Sequence, residues 1–281
     1  VKRKSYGGDI IFLISSINQG IAILEGVEYR LIADAPLDDL VPVNSREEEN
    51  TEYRDKIKTT ANWIEHNRHQ QHERNFGPME RNGETETDYF EMPGKVLHLD
   101  GDPKYLQKCL EVYHKLRIPV VGDHVEEADM AGKLEELLPI VAPDIVVLTG
   151  HDALLKDRQT GVYHLGSYKH SLSFVQAVRT ARQYERNRDT LTIIAGACQS
   201  HFEALLQAGA NFASSPGRVM IHAFDPVQIA AKVSYTSIRD TVNMADVIQH
   251  TVSGMKGMGG IESLGSYRVG RPKMSSHDNH D

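Results

Sequence analysis

Cysteine is scarce in this sequence, which has only Cys109 and Cys198 among its 281 residues. The two lie in different predicted elements, so we expect no disulfide framework and a reduced, cytoplasmic setting. Long apolar runs are also missing, because no segment approaches the roughly 20 residues that span a membrane. Basic residues are fewer than acidic residues, with 31 Lys and Arg and 39 Asp and Glu. That balance argues against a general nucleic-acid binder, which would be basic.

The composition divides the chain into four segments. Residues 1–43 contain short alternating runs separated by turn signals, and they predict a small β module, either a curled sheet or an SH3-like barrel. Residues 44–93 are charged and predict a partly helical, flexible linker. Residues 94–271 alternate apolar strands with amphipathic helices, which is typical of an α/β domain with a parallel sheet and helices on both faces. Residues 272–281 form a polar tail.

Three histidines of the linker, His66, His69 and His72, recur every three residues. On a helix this spacing does not keep three ligands on one face, and no carboxylate or thiol completes a metal site. We therefore expect a solvated polar face, and the sequence predicts no metal or organic cofactor.

The stretch LTIIAGACQS, residues 191–200, carries the first chemical signal. Its β-branched apolar run is too short for a helix and predicts a buried parallel strand. Gly196 and Ala197 allow a sharp turn, after which a helix is predicted to end at Gly209. Cys198 would then stand where strand meets helix, and the helix dipole would favour its thiolate. A nucleophile and an inert buried thiol both fit this placement, so the choice depends on finding a base.

The candidate bases are histidines that follow apolar strands, since chemistry in parallel sheets gathers at the carboxyl ends of strands. His151 directly follows the strand DIVVLTG, which is expected beside the cysteine strand. Neighbouring strands lie about 4.8 Å apart, so His151 and Cys198 would share a proton directly or through substrate. The rival histidines are His222 and His124, kept in reserve, and His164, His170 and His201.

The two motifs IVVLTGHDAL and LTIIAGACQS resemble those of the caspase-like cysteine peptidases. Cys198 follows His151 by 47 residues, close to the roughly 50 of caspases. Over nearly its whole length the chain is also similar to the YabG family of sporulation-specific peptidases of spore-forming bacteria. The segments that carry this similarity include YGGDIIF, ADAPLDDL, GKVLHLDGDP, LTGHDAL and GACQSHFEALLQAGANFASSPGRV.

The resemblance implies a caspase-like fold and a cysteine endopeptidase that cleaves spore coat and other spore proteins after arginine, in association with the spore coat. Cys198 would be the nucleophile and His151 the general base. Backbone N–H groups at Gly150, Asp152 and Ala197 would hold the oxyanion. Asp152 departs from the pattern, because many caspase-like enzymes have glycine there, and it is a candidate cap of the turn.

Selection of arginine requires a carboxylate opposite the guanidinium, and the candidates are Asp157, Asp225 and Glu262. Such an enzyme could also cut its own linker, whose arginines are Arg46, Arg54, Arg68, Arg74 and Arg81.

Two alternative functions stay open. A glutamine-amidotransferase-like enzyme also places cysteine at a strand–helix turn, but its histidine follows the cysteine in the chain. A non-catalytic spore assembly scaffold would use the α/β domain as a binding surface. In each case we expect protein or small-molecule partners rather than nucleic acid or membrane, and the oligomeric state is not predicted.

Overall fold

The structure, a computed structural model, describes residues 1–8, 10–44, 52–76, 89–155 and 161–270, so the predicted tail lies outside the described residues. Its strands are β1 (Lys2–Arg3), β2 (Phe12–Asn18), β3 (Ile21–Gly26), β4 (Ile32–Pro36), β5 (Leu40–Val41), β6 (Phe90–Met92), β7 (Val96–Asp100), β8 (Val120–His124), β9 (Ile145–Thr149), β10 (Thr192–Ala195), β11 (Phe212–Ser214), β12 (Thr241–Val242), β13 (Met258–Gly260), β14 (Ser263–Leu264) and β15 (Arg268–Gly270). Its helices are α1 (Glu52–Phe76), α2 (Pro103–Lys115), α3 (Met130–Val141), α4 (Ser171–Tyr184), α5 (Phe202–Ala208), α6 (Asp225–Tyr235), α7 (Met244–Gln249) and α8 (Gly254–Gly257). None of the described helices is long and apolar enough to cross a membrane.

The centre of the described chain is a six-stranded sheet in the order β13-β11-β10-β9-β7-β8. Its strands run parallel except β13, which pairs antiparallel with β11 at one edge. β7 and β9 are buried along their whole length, as expected where helices cover both faces of a parallel sheet. The predicted α/β architecture is confirmed.

Two apolar clusters lie on opposite faces of this sheet. Because side chains alternate along a strand, Val147 and Ile194 face one cluster, which also contains residues of α2 and α6. Val146 and Ile193 face the other cluster, which is formed with α3, α4 and α5. Cys198 belongs to the first cluster and therefore lies on the α2 and α6 side of the sheet.

The N-terminal module, residues 1–44, consists of small antiparallel sheets. β2, β3 and β4 form one sheet, and β1 pairs with β5. One face of the three-stranded sheet covers a small apolar core of Phe12, Ala22, Leu24 and Ala35. Other apolar side chains of the module, among them Leu13, Ile21 and Ile32, are exposed instead. The predicted β structure at this end of the chain is confirmed in this form.

Helix α1 packs against α6 and joins the same apolar cluster as the sheet. Ile64 of α1 is buried in that cluster. The Thr60 hydroxyl donates to Gln228 Oε1 at 2.6 Å, and Lys232 Nζ lies 3.5 Å from the centre of the Trp63 ring. The helical part of the predicted linker is therefore docked on the α/β core.

The apolar run of residues 218–224, RVMIHAF, predicts a fifth strand of the sheet, and this prediction is wrong. The fifth parallel strand is β11, and residues 218–224 leave the sheet to contact the N-terminal module. The Ala223 N–H donates to Glu28 O at 2.9 Å, and His222 forms an isolated bridge with Tyr29. A short apolar run does not distinguish a strand from a buried loop, and this one covers the space between module and sheet.

Candidate active site

Strands β9 and β10 carry the two predicted catalytic residues to one edge of the sheet. Leu148 of β9 pairs with Ala195 of β10 in parallel register. His151 lies two residues beyond β9 and Cys198 three residues beyond β10. The His151 side chain is 38% exposed, whereas Cys198 is 8% exposed. The half-exposed imidazole of His151 and the buried thiol of Cys198 thus follow the ends of two adjacent strands.

The chain turns sharply between β10 and α5. Gly196 has a φ of 109°, and a Cβ at this position would lie 2.8 Å from a methyl carbon of Leu205, so the turn requires glycine. α5 begins only at Phe202, and Cys198 therefore lies in the turn before the helix. Because the effect of a helix dipole is confined to the first turn, the expectation that it would favour the Cys198 thiolate is wrong.

Cys198 is held as a thiol against the loop that contains Ile221. The Ile221 N–H donates to Sγ at 3.4 Å, and the Ile221 carbonyl oxygen lies 3.8 Å from Sγ. Burial raises the pKa of the Cys198 thiol, and the Ile221 contact and the positive charge of Arg30 offset that effect only in part. A base is therefore needed to form the thiolate.

The imidazole of His151 lies between two carboxylates. Its Nε2 is 3.5 Å from Asp102 Oδ2, and its Nδ1 is 3.8 Å from Glu127 Oε1. Both acids come from the β7 and β8 side of the sheet, opposite to β10. Within the described residues, neither ring nitrogen is hydrogen-bonded to Cys198, whose Sγ instead contacts Ile221. His151 and Cys198 therefore lie at the same edge of the sheet, and the imidazole is turned towards Asp102 and Glu127.

Glu127 is buried directly beside His151. Its Oε1 accepts the main-chain N–H of His151 at 2.6 Å, and a Cβ at Gly101 or Gly150 would lie 2.2 or 2.4 Å from that oxygen. Although burial alone would raise the pKa of Glu127, the hydrogen bonds from His151 and the charge of His170 lower it to about 2. The sequence analysis missed Glu127, although its place three residues beyond β8 follows the strand-end rule that selected His151.

Asp152 connects the turn at Cys198 to the start of α4. Its Oδ2 accepts hydrogen bonds from the hydroxyls of Ser171 and Ser200, the latter at 2.9 Å. The Ser200 hydroxyl oxygen in turn accepts the N–H of Ala197 at 2.9 Å. Asp152 therefore fixes the turn that carries the thiol, and the N–H of Ala197 already has a partner.

Comparison with protein families matches residues 1–272 to the family described as YabG peptidase U57. The chain belongs to this peptidase family. It is 45% identical over 301 aligned residues to the sporulation-specific protease YabG of Bacillus subtilis strain 168, a match that covers 98% of this chain and 97% of that protein. The protein is therefore a peptidase, which makes it a hydrolase.

Two solved structures resemble part of this YabG-family peptidase. The isolated REC domain of RcsB from Salmonella enterica serovar Typhimurium, in the presence of phosphomimetic BeF3−, has 14% identity and a TM-score of 0.32 and covers 50% of this chain and 87% of that one. The RcsB response regulator of Salmonella typhimurium has 15% identity and a TM-score of 0.28, covering 42% of this chain and 50% of that one. Neither value supports an argument about fold or function.

Three of the rival histidines, His222, His201 and His164, contact groups other than the Cys198 thiol. His222 is buried, with Nε2 3.4 Å from Glu28 Oε2. His124 is at the far edge strand β8. His201 caps α5 by accepting a main-chain N–H, and His164 caps a short 3-10 turn in the same way.

The three acids predicted to select arginine lie in different settings. Asp225 is fully buried, and its carboxylate accepts the N–H groups of Val252 at 2.7 Å and Ser253 at 3.0 Å. Burial raises its pKa. Glu262 is exposed, in the connection between β13 and β14. Asp157 lies outside the described residues.

A buried polar cluster lies beneath the edge that carries His151. His98, Asp100 and Cys109 each place one potential metal-ligand atom within 4.8 Å of the others. The Arg30 guanidinium and the Thr149 hydroxyl both donate to Asp100, however, and burial raises the pKa of Cys109 to about 12. A carboxylate already paired with a guanidinium and a protonated thiol fit a hydrogen-bonded network better than a metal site.

Proposed function

We propose that this peptidase is a cysteine endopeptidase in which Cys198 is the nucleophile and His151 the general base. The observation that carries the proposal is the exit of both residues from the carboxyl ends of the adjacent strands β9 and β10. It is supported by the Asp152 and Ser200 hydrogen bonds, which hold the turn at Cys198 in one conformation.

The protonated thiol sets the order of the chemical steps. The imidazole of His151 turns from Asp102 and Glu127 towards β10 and removes the proton from Sγ. Sγ then bonds to the scissile carbonyl carbon, and the C–N bond breaks as the same imidazole returns the proton to the leaving amine. Water hydrolyses the resulting thioester and regenerates the thiol. The two carboxylates stabilise the imidazolium that exists between these transfers.

The developing oxyanion needs preorganised N–H donors. Of the three predicted donors, we retain the main-chain N–H groups of Gly150 and Asp152, because the N–H of Ala197 donates to Ser200. The Asp152 side chain does not block this role, since its carboxylate is directed to Ser200 and Ser171.

We further propose that the sheet has a caspase-like arrangement, that the enzyme acts in sporulation and that it cleaves after arginine. The sporulation-specific relative is similar over almost the whole chain, which supports the same physiological setting and spore coat or other spore proteins as substrates, with spore coat association. For the arginine pocket we favour Asp157 and Glu262 over Asp225, whose carboxylate is occupied by two N–H groups.

Alkylation tests the nucleophile directly. We expect one equivalent of iodoacetamide to modify Cys198 and to abolish cleavage of an arginine-rich spore protein, with mass spectrometry locating the cuts after arginine. Cys109 is the internal control, because it is fully buried and stays unmodified in the native protein. Full cleavage by enzyme alkylated at Cys198 would contradict the proposal, and cuts after other residues would remove the arginine specificity.

Self-processing of the linker is also part of the proposal. Three of its candidate sites, Arg54, Arg68 and Arg74, lie in the docked helix α1, which does not offer the extended backbone that peptidases cleave. The other two, Arg46 and Arg81, lie outside the described residues and are the sites we favour.

We expect intact-mass spectrometry of purified wild type to show fragments that begin after Arg46 or Arg81. The Cys198→Ala variant, purified in parallel, is expected to remain full-length. Equal fragmentation of the two proteins would show that a contaminating protease is responsible.

A further inference from the structure

A cavity of about 410 Å³ separates the N-terminal module from the α/β core. We call it the module cleft. One wall belongs to the module and includes Leu13, Arg30 and Ile32. The other is formed at the start of α2, by Asp102, Pro103, Lys104, Tyr105 and Lys108. His151 completes the lining, so the cleft opens directly beside the proposed general base.

The module cleft is preformed, because several contacts fix the module on α2. The Tyr105 hydroxyl donates to the carbonyl oxygen of Gly26 at 2.6 Å. Lys108 Nζ donates to the carbonyl oxygen of Val27 at 2.8 Å. Preformed clefts bind ligands without the cost of ordering their walls.

The lining of the cleft favours an apolar side chain. Most of its surface is apolar, and Leu13 and Ile32 remain 54% and 72% exposed there without an apolar partner that covers them. Each of its carboxylates has a partner: Glu25 pairs with Lys104 at 2.5 Å, and Asp102 accepts the main-chain N–H of Lys104 at Oδ1 and faces His151 with Oδ2. An arginine or lysine side chain would therefore compete with Lys104 or His151 for these acids, whereas an apolar side chain needs neither.

The buried side chain of Arg30 belongs to the wall of the module cleft. Its side chain is 1% exposed and its Nη2 is paired with Asp100. Its Nε and Nη1 have no hydrogen-bond partner among the described residues. Buried N–H donors without acceptors are costly, but these two nitrogens are not accessible from the cleft, so Arg30 contributes part of the wall and no free donor.

We propose that the module cleft is a substrate subsite that takes an apolar side chain of the polypeptide, at a position flanking the cleaved arginine. This inference rests on the proposed function of His151 and Cys198. An extended strand advances about 3.3 Å per residue, so a peptide whose scissile bond lies at His151 reaches the cleft within a few positions. The N-terminal module thereby determines specificity, and a cavity of this size falls in the range of ligand pockets, roughly 300–1,000 Å³.

The first measurement is the flanking preference of the wild-type enzyme. In peptides with one arginine, each of the three residues before the arginine and each of the three residues after it is varied in turn to leucine or lysine. We expect one position at which leucine raises kcat/KM at least roughly tenfold over lysine. Cleavage without any such preference overturns the inference and leaves the proposed function standing, whereas no cleavage of any arginine peptide contradicts the proposed function itself.

The second measurement assigns that preference to the cleft. In Ile32→Asp the leucine-to-lysine ratio at this position is expected to fall to about 1, mainly through KM, because the carboxylate removes apolar contact and attracts the lysine. Ile21→Asp is the control, since Ile21 is an exposed isoleucine of the same sheet that does not line the cleft. We expect Ile21→Asp to keep the wild-type ratio, and thermal unfolding confirms that both variants fold.

A second copy of the chain is the competing occupant of the apolar surface. If Ile32→Asp changes the sedimentation coefficient of the protein and leaves the leucine preference intact, the surface is a self-association site and the subsite proposal is wrong. If wild type and Ile32→Asp are both monomers and the variant loses the leucine preference, the subsite proposal is supported.

Discussion

Replacing Cys198 with alanine is expected to lower kcat/KM for an arginine-containing peptide by at least about three orders of magnitude. Among the described residues we expect no other group to form the acyl-enzyme, because the hydroxyls of Ser171 and Ser200 donate to Asp152. The acids around His151 lie on the opposite side of it from β10. The fold is expected to persist, since the lost sulfur makes only weak contacts with Ile221. Single-turnover kinetics and near-ultraviolet circular dichroism of the same preparation measure both effects.

Histidine variants identify the base and separate the alternatives. His151→Ala is expected to match the loss in Cys198→Ala, and His124→Ala, a histidine at the far edge of the sheet, is expected to retain full activity. A loss with His222→Gln but not with His151→Ala would indicate the chain order of a glutamine-amidotransferase-like enzyme. If the wild type cleaves no arginine-rich partner at all, the scaffold alternative is favoured.

The strands that carry the proposed dyad could be predicted because their patterns are local. The run before His151 and the run before Cys198 are continuous and apolar, as parallel strands buried on both faces must be. Once both are placed in one parallel sheet, their carboxyl ends meet at one edge, and the structure has β9 beside β10. Short-range pattern and a general rule of topology were sufficient here.

The surroundings of the dyad could not be predicted, because they depend on contacts between distant elements. Arg30 comes from the N-terminal module yet pairs with Asp100 at the end of β7. Nothing in the module sequence indicates which core residue it reaches. Likewise, residues 218–224 have the composition of a strand, and only their contacts with the module show that they form a buried loop. Glu127 fits beside His151 only because Gly150 has no Cβ, and this close contact is visible only in the three-dimensional structure.

The ion pair of Arg30 and Asp100 leads to the largest expected effect on stability. Arg30→Ala is expected to lower the free energy of unfolding by about 3–5 kcal/mol at pH 7, because it leaves the carboxylate of Asp100 buried without a counter-ion. Arg74→Ala is the matched control. Its partner Asp240 lies 2.8 Å away, but the two side chains are 55% and 33% exposed, so a cost of at most about 1 kcal/mol is expected. Urea unfolding followed by circular dichroism measures both.

A double variant and the pH dependence show whether the cost comes from the unpaired charge. Arg30→Met combined with Asp100→Leu removes both charges and is expected to be destabilised less than Arg30→Ala alone. Burial would raise the pKa of Asp100, but the charge of Arg30 holds it well below its ordinary value. The pair therefore stabilises the fold above the unfolded pKa of about 4 and loses this contribution as the pH falls further. In Arg30→Ala burial is expected to raise the pKa of the unpaired Asp100, so the stability difference between wild type and variant should begin to shrink as the pH falls below that raised value, and should shrink further below about pH 4. A difference that stays constant with pH would attribute the cost to lost packing around Arg30.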